Sequence, residues 1–201
     1  MNIYLLYAIS IGYLLGSIPF ALVIGKVFYH TDIRKFGSGN LGGTNAGRVL
    51  GKGAGISVIA LDILKVVLAV YLVSLFDKPA SIWAGFAAAF GHCYPIFANF
   101  KGGKAAATMF GFLLSTAIFT FQNAWYVFVP FIFFIITLKL SKMVSLSSMC
   151  AAITSSIFIT IMQGNIQIII ASYLLTILVI YRHRENIKRI KDGSESKISW
   201  M

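Results

Sequence analysis

Residues 54–76 read AGISVIALDILKVVLAVYLVSLF, an apolar run interrupted by only two charges, Asp62 and Lys65. As a helix this run would measure about 34 Å, enough to cross the ~30 Å hydrocarbon core of a bilayer. The two charges stand three apart, on one helix face, where they can pair with each other. Ionisable groups at membrane depth mark either a functional site or an ion pair that joins helices, and both readings stay open for Asp62 and Lys65.

Further apolar runs lie on either side, at about 3–25, 80–98, 105–121, 124–138, 143–162 and 165–181. Together they predict an all-α, polytopic membrane protein of about seven transmembrane helices. Several runs fall short of the roughly 20 residues a comfortable crossing needs, so they must tilt little, thin the bilayer or sit partly inside the bundle. Pro19 and Pro130 fall within runs, and each removes a backbone donor, which predicts a local kink. The first run has no Lys or Arg before it and no small-residue cleavage site after it, so it reads as a permanent span. Composition agrees. Of 201 residues, 58% are hydrophobic and only 11% charged, against about 25% charged in soluble domains. The mean hydropathy is +0.84.

The inter-helix segments are lopsided in charge. Lys26, Arg34, Lys35, Arg48 and Lys52 follow the first run, Lys101 and Lys104 the third, and Lys139 and Lys142 the fifth. Arg182, Arg184, Lys188, Arg189, Lys191 and Lys197 follow the seventh. The alternate segments hold Lys78 and the neutral stretches Gln122-Asn123 and Gln163-Gly164-Asn165. Positive segments stay cytoplasmic, which predicts an external N-terminus and a cytoplasmic C-terminus. The expected organisation is a single integral-membrane domain over residues 1–201, with cytoplasmic loops at about 26–53, 99–104 and 139–142 and a tail at 182–201. The net charge of +11 then reflects topology and attraction to anionic lipid headgroups, not nucleic-acid binding. The distal tail, Lys188 to Lys197, is assigned to that role. Cys93 and Cys150 belong to no Cys/His cluster, so neither a metal site nor a disulfide framework is expected, and no cofactor is called for.

Three polar segments carry the candidate chemistry. The first runs Gly37-Ser38-Gly39-Asn40-Leu41-Gly42-Gly43-Thr44-Asn45-Ala46-Gly47-Arg48. Its glycines let backbone N–H groups gather around an anion, its short polar side chains add donors, and Arg48 can grip a phosphate bidentately. Gly37-x-Gly39-x-x-Gly42 formally matches a dinucleotide fingerprint, but no strand precedes it and a membrane span follows, so that reading fails. No Walker motif is present, because neither Gly51-Lys52 nor Gly103-Lys104 is followed by Ser or Thr. The second segment joins Gly91-His92 through Pro95 and Phe97 to Gly102-Gly103-Lys104-Ala105, where a helix start beside a lysine makes a ready anion site. The third, His183-Arg184-Glu185-Asn186-Ile187-Lys188-Arg189, would place His183 and Asn186 on one helical face and let Glu185 pair with Arg189.

Taken together, the segments resemble the PlsY family of bacterial acyl-phosphate-dependent glycerol-3-phosphate acyltransferases. The family pattern Ser-Gly-Asn-x-Gly-Ala-Thr-Asn with a following Arg is similar to Ser38 to Asn45 and Arg48. Gly-His, Pro, Phe and Gly-Gly-Lys-Gly is similar to Gly91-His92, Pro95, Phe97 and Gly102-Gly103-Lys104. His-Arg-x-Asn-Ile-x-Arg is similar to His183 to Arg189. Ser145-Leu146-Ser147-Ser148 and Asp62-x-x-Lys65 also resemble family features. Gly43 stands where the family has Ala, and Ala105 where it has Gly, a change expected to tighten or tilt the start of the fourth span.

The resemblance implies transfer of a fatty acyl group from acyl phosphate to the sn-1 hydroxyl of glycerol 3-phosphate, yielding lysophosphatidate and inorganic phosphate. It implies a multi-pass protein of the bacterial inner membrane with a cytoplasmic active site, fed by an enzyme that makes acyl phosphate. Ser38, Arg48 and Lys104 would be catalytic. Gly39, Asn40, Gly42, Gly43, Thr44, Asn45, His92, Gly102, Gly103, Ser145, His183 and Asn186 would bind substrate. Within that set, Ser38 to Asn45 would cradle the phosphoryl leaving group, while Arg48, Lys104, Ser145, His183 and Asn186 would hold glycerol 3-phosphate. No His-x4-Asp pair is present, since His30, His92 and His183 are followed five residues on by Lys35, Phe97 and Lys188. Catalysis would then rest on positioning and electrostatics. A transporter of phosphorylated solutes is the rival reading. The two halves lack an inverted repeat, and the ligand groups crowd one face, not the midplane.

Overall fold

The apolar runs fold as helices in the computed structural model, which describes residues 3–162 and 165–198. No strand occurs among the described residues. The chain divides into two compact units, Met1–Ser115 and Thr116–Met201.

The first unit begins with α1 (Ile3–Gly16) and α2 (Phe20–Tyr29), which form one broken apolar span of 27 residues. The break falls at Ser17-Ile18-Pro19, as the proline predicts, and the helical run continues past 25 to Tyr29. Next come α3 (Gly43–Leu50), α4 (Lys52–Ser74), α5 (Lys78–Cys93) and α6 (Ala106–Ser115). Asp77 starts α5 by accepting the Ala80 N–H at 2.8 Å, with Pro79 in the first turn. The run expected to continue to residue 98 ends instead at Cys93. Pro95 disfavours the helical region for Tyr94, and only a 3₁₀ turn, Ile96–Ala98, follows.

In lipid, helices associate through close packing of small residues, because apolar surface gains little by leaving hydrocarbon. α1 and α5 meet along such a seam. Ala8, Gly12 and Gly16 face Ala80, Ala84 and Ala88, and a Cβ on Gly12 or Gly16 would run into the Ala84 or Ala88 backbone. The outward positions reverse the soluble pattern: Leu14, Ile56, Leu64 and Leu68 are exposed. A second core of Ala21, Ile24, Ile33, Leu41, Ala46 and Val58 seats the polar segment between α2 and α4.

The second unit opens with the π-helical stretch Thr116–Phe121, followed by α7 (Trp125–Ser141), α8 (Val144–Met162), α9 (Ile166–Arg182) and α10 (Arg184–Lys191). Pro130 sits inside α7 without interrupting it. α8 and α9 are joined by polar side chains. The Ser156 and Thr176 hydroxyls lie 2.7 Å apart, and Thr176 donates to the Ala152 carbonyl at 2.8 Å. The α9–α10 junction bends by 55°. The neutral stretch expected at Gln163-Gly164 lies outside the described residues.

Among the described residues, three helical spans are long and apolar enough to cross a membrane: Ile3–Tyr29, Lys52–Ser74 and Val144–Met162. Taking the bent α9–α10 pair as one span gives up to four, and Ala106–Phe121 and Trp125–Ser141 are shorter apolar helices.

Candidate active site

The first polar segment is more ordered than a glycine-rich linker. Asp32 caps a 3₁₀ turn, Ile33–Lys35, by accepting the Arg34 N–H at 3.1 Å. The Arg34 guanidinium grips the same carboxylate at 2.6 and 2.9 Å, which lowers the Asp32 pKa to about 2. Gly37 and Gly39 adopt φ of +59° and +66°, the left-handed region that turns the chain here. Asn45 is only 2% exposed and ties the turn together. Its Oδ1 accepts the Ser38 N–H at 2.9 Å, and its Nδ2 donates to the Ile33 and Phe36 carbonyls at 3.2 and 3.3 Å. Asn45 therefore shapes the loop from within, with its amide spent on the backbone.

Gly42 is the N-cap of α3, so the loop expected at about 26–53 is in part a helix. One of its glycines has a job unrelated to ligand approach. Gly43 lets α3 lie against α4, where its own Cβ would strike the Ile59 side chain and the Gly55 carbonyl, and a Cβ on Gly55 would strike the Gly47 Cα and N and the Gly43 carbonyl. Thr44 and Arg48, one helical turn apart, are both exposed on α3. The N–H groups of Gly43 and Thr44 lie in the helix's first turn, where backbone donors find no intrahelical acceptor.

The second segment meets the first inside this unit. Asn40 Nδ2 donates to the Gly102 carbonyl at 3.3 Å, and the Gly103 N–H donates to the His92 carbonyl at 3.0 Å. The His92 ring lies against Gly103, where a Cβ would fall on its Nε2 edge. Lys104 is half-buried. Ala105, in place of the family glycine, is buried and held at φ +62°, ahead of α6.

Asp62 and Lys65 pair as their spacing allows, with Oδ1 to Nζ at 2.7 Å. They are 1% and 3% exposed, and His92 at 5% joins them. Lys65 Nζ is 3.1 Å from His92 Nδ1 and donates to the Ile18 carbonyl at 2.9 Å. The break at Pro19 supplies that acceptor, since Leu22 N–H turns to the Pro19 carbonyl and leaves Ile18 O outside the helical ladder. The intramembrane charges thus knit α2's entry, α4 and the end of α5 beneath the second segment.

In the second unit, Ser145 and Asn186 converge on Glu195. The Ser145 hydroxyl donates to Oε1 at 2.6 Å, Asn186 Nδ2 to the same oxygen at 2.7 Å, and Arg189 Nε to Oε2 at 2.8 Å. Burial alone would raise the Glu195 pKa, but these donors outweigh it and hold the carboxyl below its ordinary range. Glu195 is not among the residues the sequence singles out, and the distal tail was expected at the lipid surface. The tail in fact folds back, and the Ile198 N–H also donates to the Lys142 carbonyl at 2.8 Å. The expected Glu185–Arg189 pair does not form. Arg189 goes to Glu195, while the exposed Glu185 lies 3.6 Å from Lys188 and 3.8 Å from Arg184. His183 is buried at the bend between α9 and α10, its Nδ1 2.8 Å from the Val179 carbonyl.

Apolar helices with outward-facing Leu and Ile, small-residue seams and polar groups gathered at helix ends define a multi-pass helical membrane protein. The family model described as glycerol-3-phosphate acyltransferase matches residues 6–193. A glycerol-3-phosphate acyltransferase of Listeria welshimeri is 46% identical over 205 residues, covering 100% of both chains. One of Geobacillus kaustophilus is 46% identical over 94% of each. A crystal structure of PlsY, an integral membrane glycerol 3-phosphate acyltransferase in its glycerol 3-phosphate form, superposes with a TM-score of 0.89 at 33% identity, over 97% of this chain and 96% of that one. Its lysophosphatidic acid form gives 0.86 at 32%. The chain belongs to the glycerol-3-phosphate acyltransferase (PlsY) family. It is a membrane acyltransferase.

Proposed function

We propose that the protein transfers a fatty acyl group from acyl phosphate to the sn-1 hydroxyl of glycerol 3-phosphate, releasing lysophosphatidate and inorganic phosphate. The observation that carries this reading is the link between the two glycine-rich cationic segments, Asn40 to Gly102, which groups donors suited to phosphate in the first unit. Relatives bearing the activity's name over the full length support it. The reading takes residues 1–201 as one membrane domain of about seven crossings, N-terminus outside, with the active site at the cytoplasmic face of the bacterial plasma membrane. The charge asymmetry supports that orientation. An enzyme that makes acyl phosphate would act upstream.

In the first unit, Ser38 and the backbone of Gly39 to Thr44 receive the phosphate that leaves with the electron pair of the broken acyl C–O bond, and Arg48 and Lys104 supply positive charge for phosphate oxygens. Asn45 acts by holding Ser38. In the second unit, Ser145, His183 and Asn186 are assigned to glycerol 3-phosphate, with Glu195 fixing the first and last of them. The hydroxyl of glycerol 3-phosphate attacks the acyl carbon, the C–O bond to phosphate breaks, and the released phosphate is a competent acceptor for the hydroxyl proton.

The test is donor choice. Purified protein should acylate glycerol 3-phosphate from palmitoyl phosphate and ignore palmitoyl-CoA, and Arg48→Ala or Lys104→Ala should lower kcat/KM by about a hundredfold. Preference for palmitoyl-CoA, or full activity in both variants, would refute the assignment.

A further inference from the structure

We propose that Glu195 is a positioning residue for glycerol 3-phosphate: from the folded-back tail it holds Ser145 and Asn186 as a pair, so that its loss weakens binding of glycerol 3-phosphate and leaves binding of the acyl donor unchanged. The inference rests on the assignment of Ser145 and Asn186 to that substrate. The two side chains come from separate helices, α8 and α10, yet donate to one carboxylate oxygen, Oε1, at 2.6 and 2.7 Å. The neighbouring serines behave differently. Ser147 and Ser148 bond back to the Met143 and Val144 carbonyls at 2.9 and 2.8 Å, the usual habit of a helical serine. Ser145 reaches across to the tail instead, and Asn186 reaches past the end of its own helix at Lys191. Arg189 Nε donates to the second oxygen at 2.8 Å, so every partner is a donor, which suits an ionised, acceptor-only carboxylate.

Glu195 is itself held from both sides. The chain turns at Gly193, whose φ of +72° lies in the left-handed region. The N–H groups of Ser194 and Glu195 then donate to the Arg189 carbonyl at 2.8 and 3.1 Å. Beyond Glu195, the Ile198 N–H donates to the carbonyl of Lys142, the C-cap of α7, at 2.8 Å. Backbone bonds on either side thus fix where the carboxylate sits, and the carboxylate fixes Ser145 and Asn186. A substrate that meets two side chains already ordered binds more tightly than one that must order them, by about tenfold for a pair. Glu195 contributes this without touching the substrate. A carboxylate and a phosphate recognise the same donors, so the opposite arrangement, in which Glu195 competes with the substrate, has the opposite signature.

The experiment is steady-state kinetics of the purified full-length protein, with glycerol 3-phosphate and palmitoyl phosphate varied in turn. Glu195→Ala should raise KM for glycerol 3-phosphate about tenfold, while kcat stays within about threefold and KM for palmitoyl phosphate within about twofold. A role in folding alone would lower the active fraction, and hence the apparent kcat, and would move neither KM. Glu195→Gln keeps an acceptor oxygen and should raise the same KM by only about threefold; it also serves where Glu195→Ala does not fold. In a Ser145→Ala background the further loss of Glu195 should raise KM by clearly less than tenfold, because one of the two side chains it orders is gone. Calorimetric titration of the donor-free protein with glycerol 3-phosphate reads the same loss of affinity without turnover. An unchanged KM and affinity for glycerol 3-phosphate in Glu195→Ala, or tighter binding, would overturn the proposal. No turnover of palmitoyl phosphate, with affinity for glycerol 3-phosphate still falling in Glu195→Ala, would refute the proposed function alone.

Discussion

Replacing Glu195 by alanine removes one carboxylate and strands the groups that meet on it. The Ser145 hydroxyl and Asn186 amide are buried, and both donate to Oε1, at 2.6 and 2.7 Å. A buried donor that loses its acceptor costs about 1–3 kcal/mol, so the pair amounts to about 2–6 kcal/mol. Arg189 adds little, because its side chain is 41% exposed. For a chain of this size one kcal/mol moves Tm by about 2–4 °C, so Glu195→Ala should lower Tm by on the order of 10 °C in detergent. Glu195→Gln keeps an acceptor oxygen but loses the charge assistance, and should cost about 1–2 kcal/mol. The effect has a pH signature. The folded carboxyl lies below its ordinary 4.5, so its stabilisation is present above that pH and is lost as pH falls through the folded value. The Tm gap between wild type and Glu195→Ala should therefore narrow as the pH is lowered below 4.5. Thermal unfolding followed by tryptophan fluorescence measures both quantities. A Tm within 2 °C of wild type at neutral pH, or a gap that widens in acid, would refute the reasoning.

Ala105→Gly should relieve the strain of a φ of +62°, raising stability by up to about 1 kcal/mol after glycine's extra chain entropy, read as a small increase in Tm. Gly16→Leu should cost about 3 kcal/mol or more, because its side chain meets the Ala88 backbone, while Leu14→Ile on the exposed face should be nearly neutral in the same melt. Asp32→Asn should cost under about 1 kcal/mol at neutral pH, the Arg34 pair being partly exposed. Since Asp32 falls from 3.8 to about 2 in the folded state, that difference should persist above pH 4 and disappear as pH drops toward 2.

The membrane character of the chain was legible because lipid imposes it run by run: residues 54–76 could be little else. So was the break at Pro19, a consequence of one missing N–H. The end of α5 was misjudged because Ile96 and Phe97 continue the apolar pattern past Pro95, and hydropathy outvoted the backbone constraint. Helix α3 escaped notice because Gly43, Gly47 and Gly51 make its isolated helix propensity poor. It forms through contact with Gly55 on α4, a tertiary effect. The Asp62–Lys65 pair could be read from its three-residue spacing, whereas its third member, His92, comes from another helix 27 residues on. Glu195 lies 50 residues from Ser145, and nothing local set it apart from Glu185 and Asp192, the other carboxylates of the basic tail. Arg189 chose that carboxylate over Glu185 because it is buried among donors, while Glu185 remains in solvent.

The most direct measurement is release of inorganic phosphate from palmitoyl phosphate by the purified protein, with and without glycerol 3-phosphate, alongside quantification of lysophosphatidate. The account predicts release only when glycerol 3-phosphate is present, one phosphate for each lysophosphatidate formed, and near-loss of both in Arg48→Ala. Release that ignores glycerol 3-phosphate, or lysophosphatidate formed without phosphate release, would contradict it.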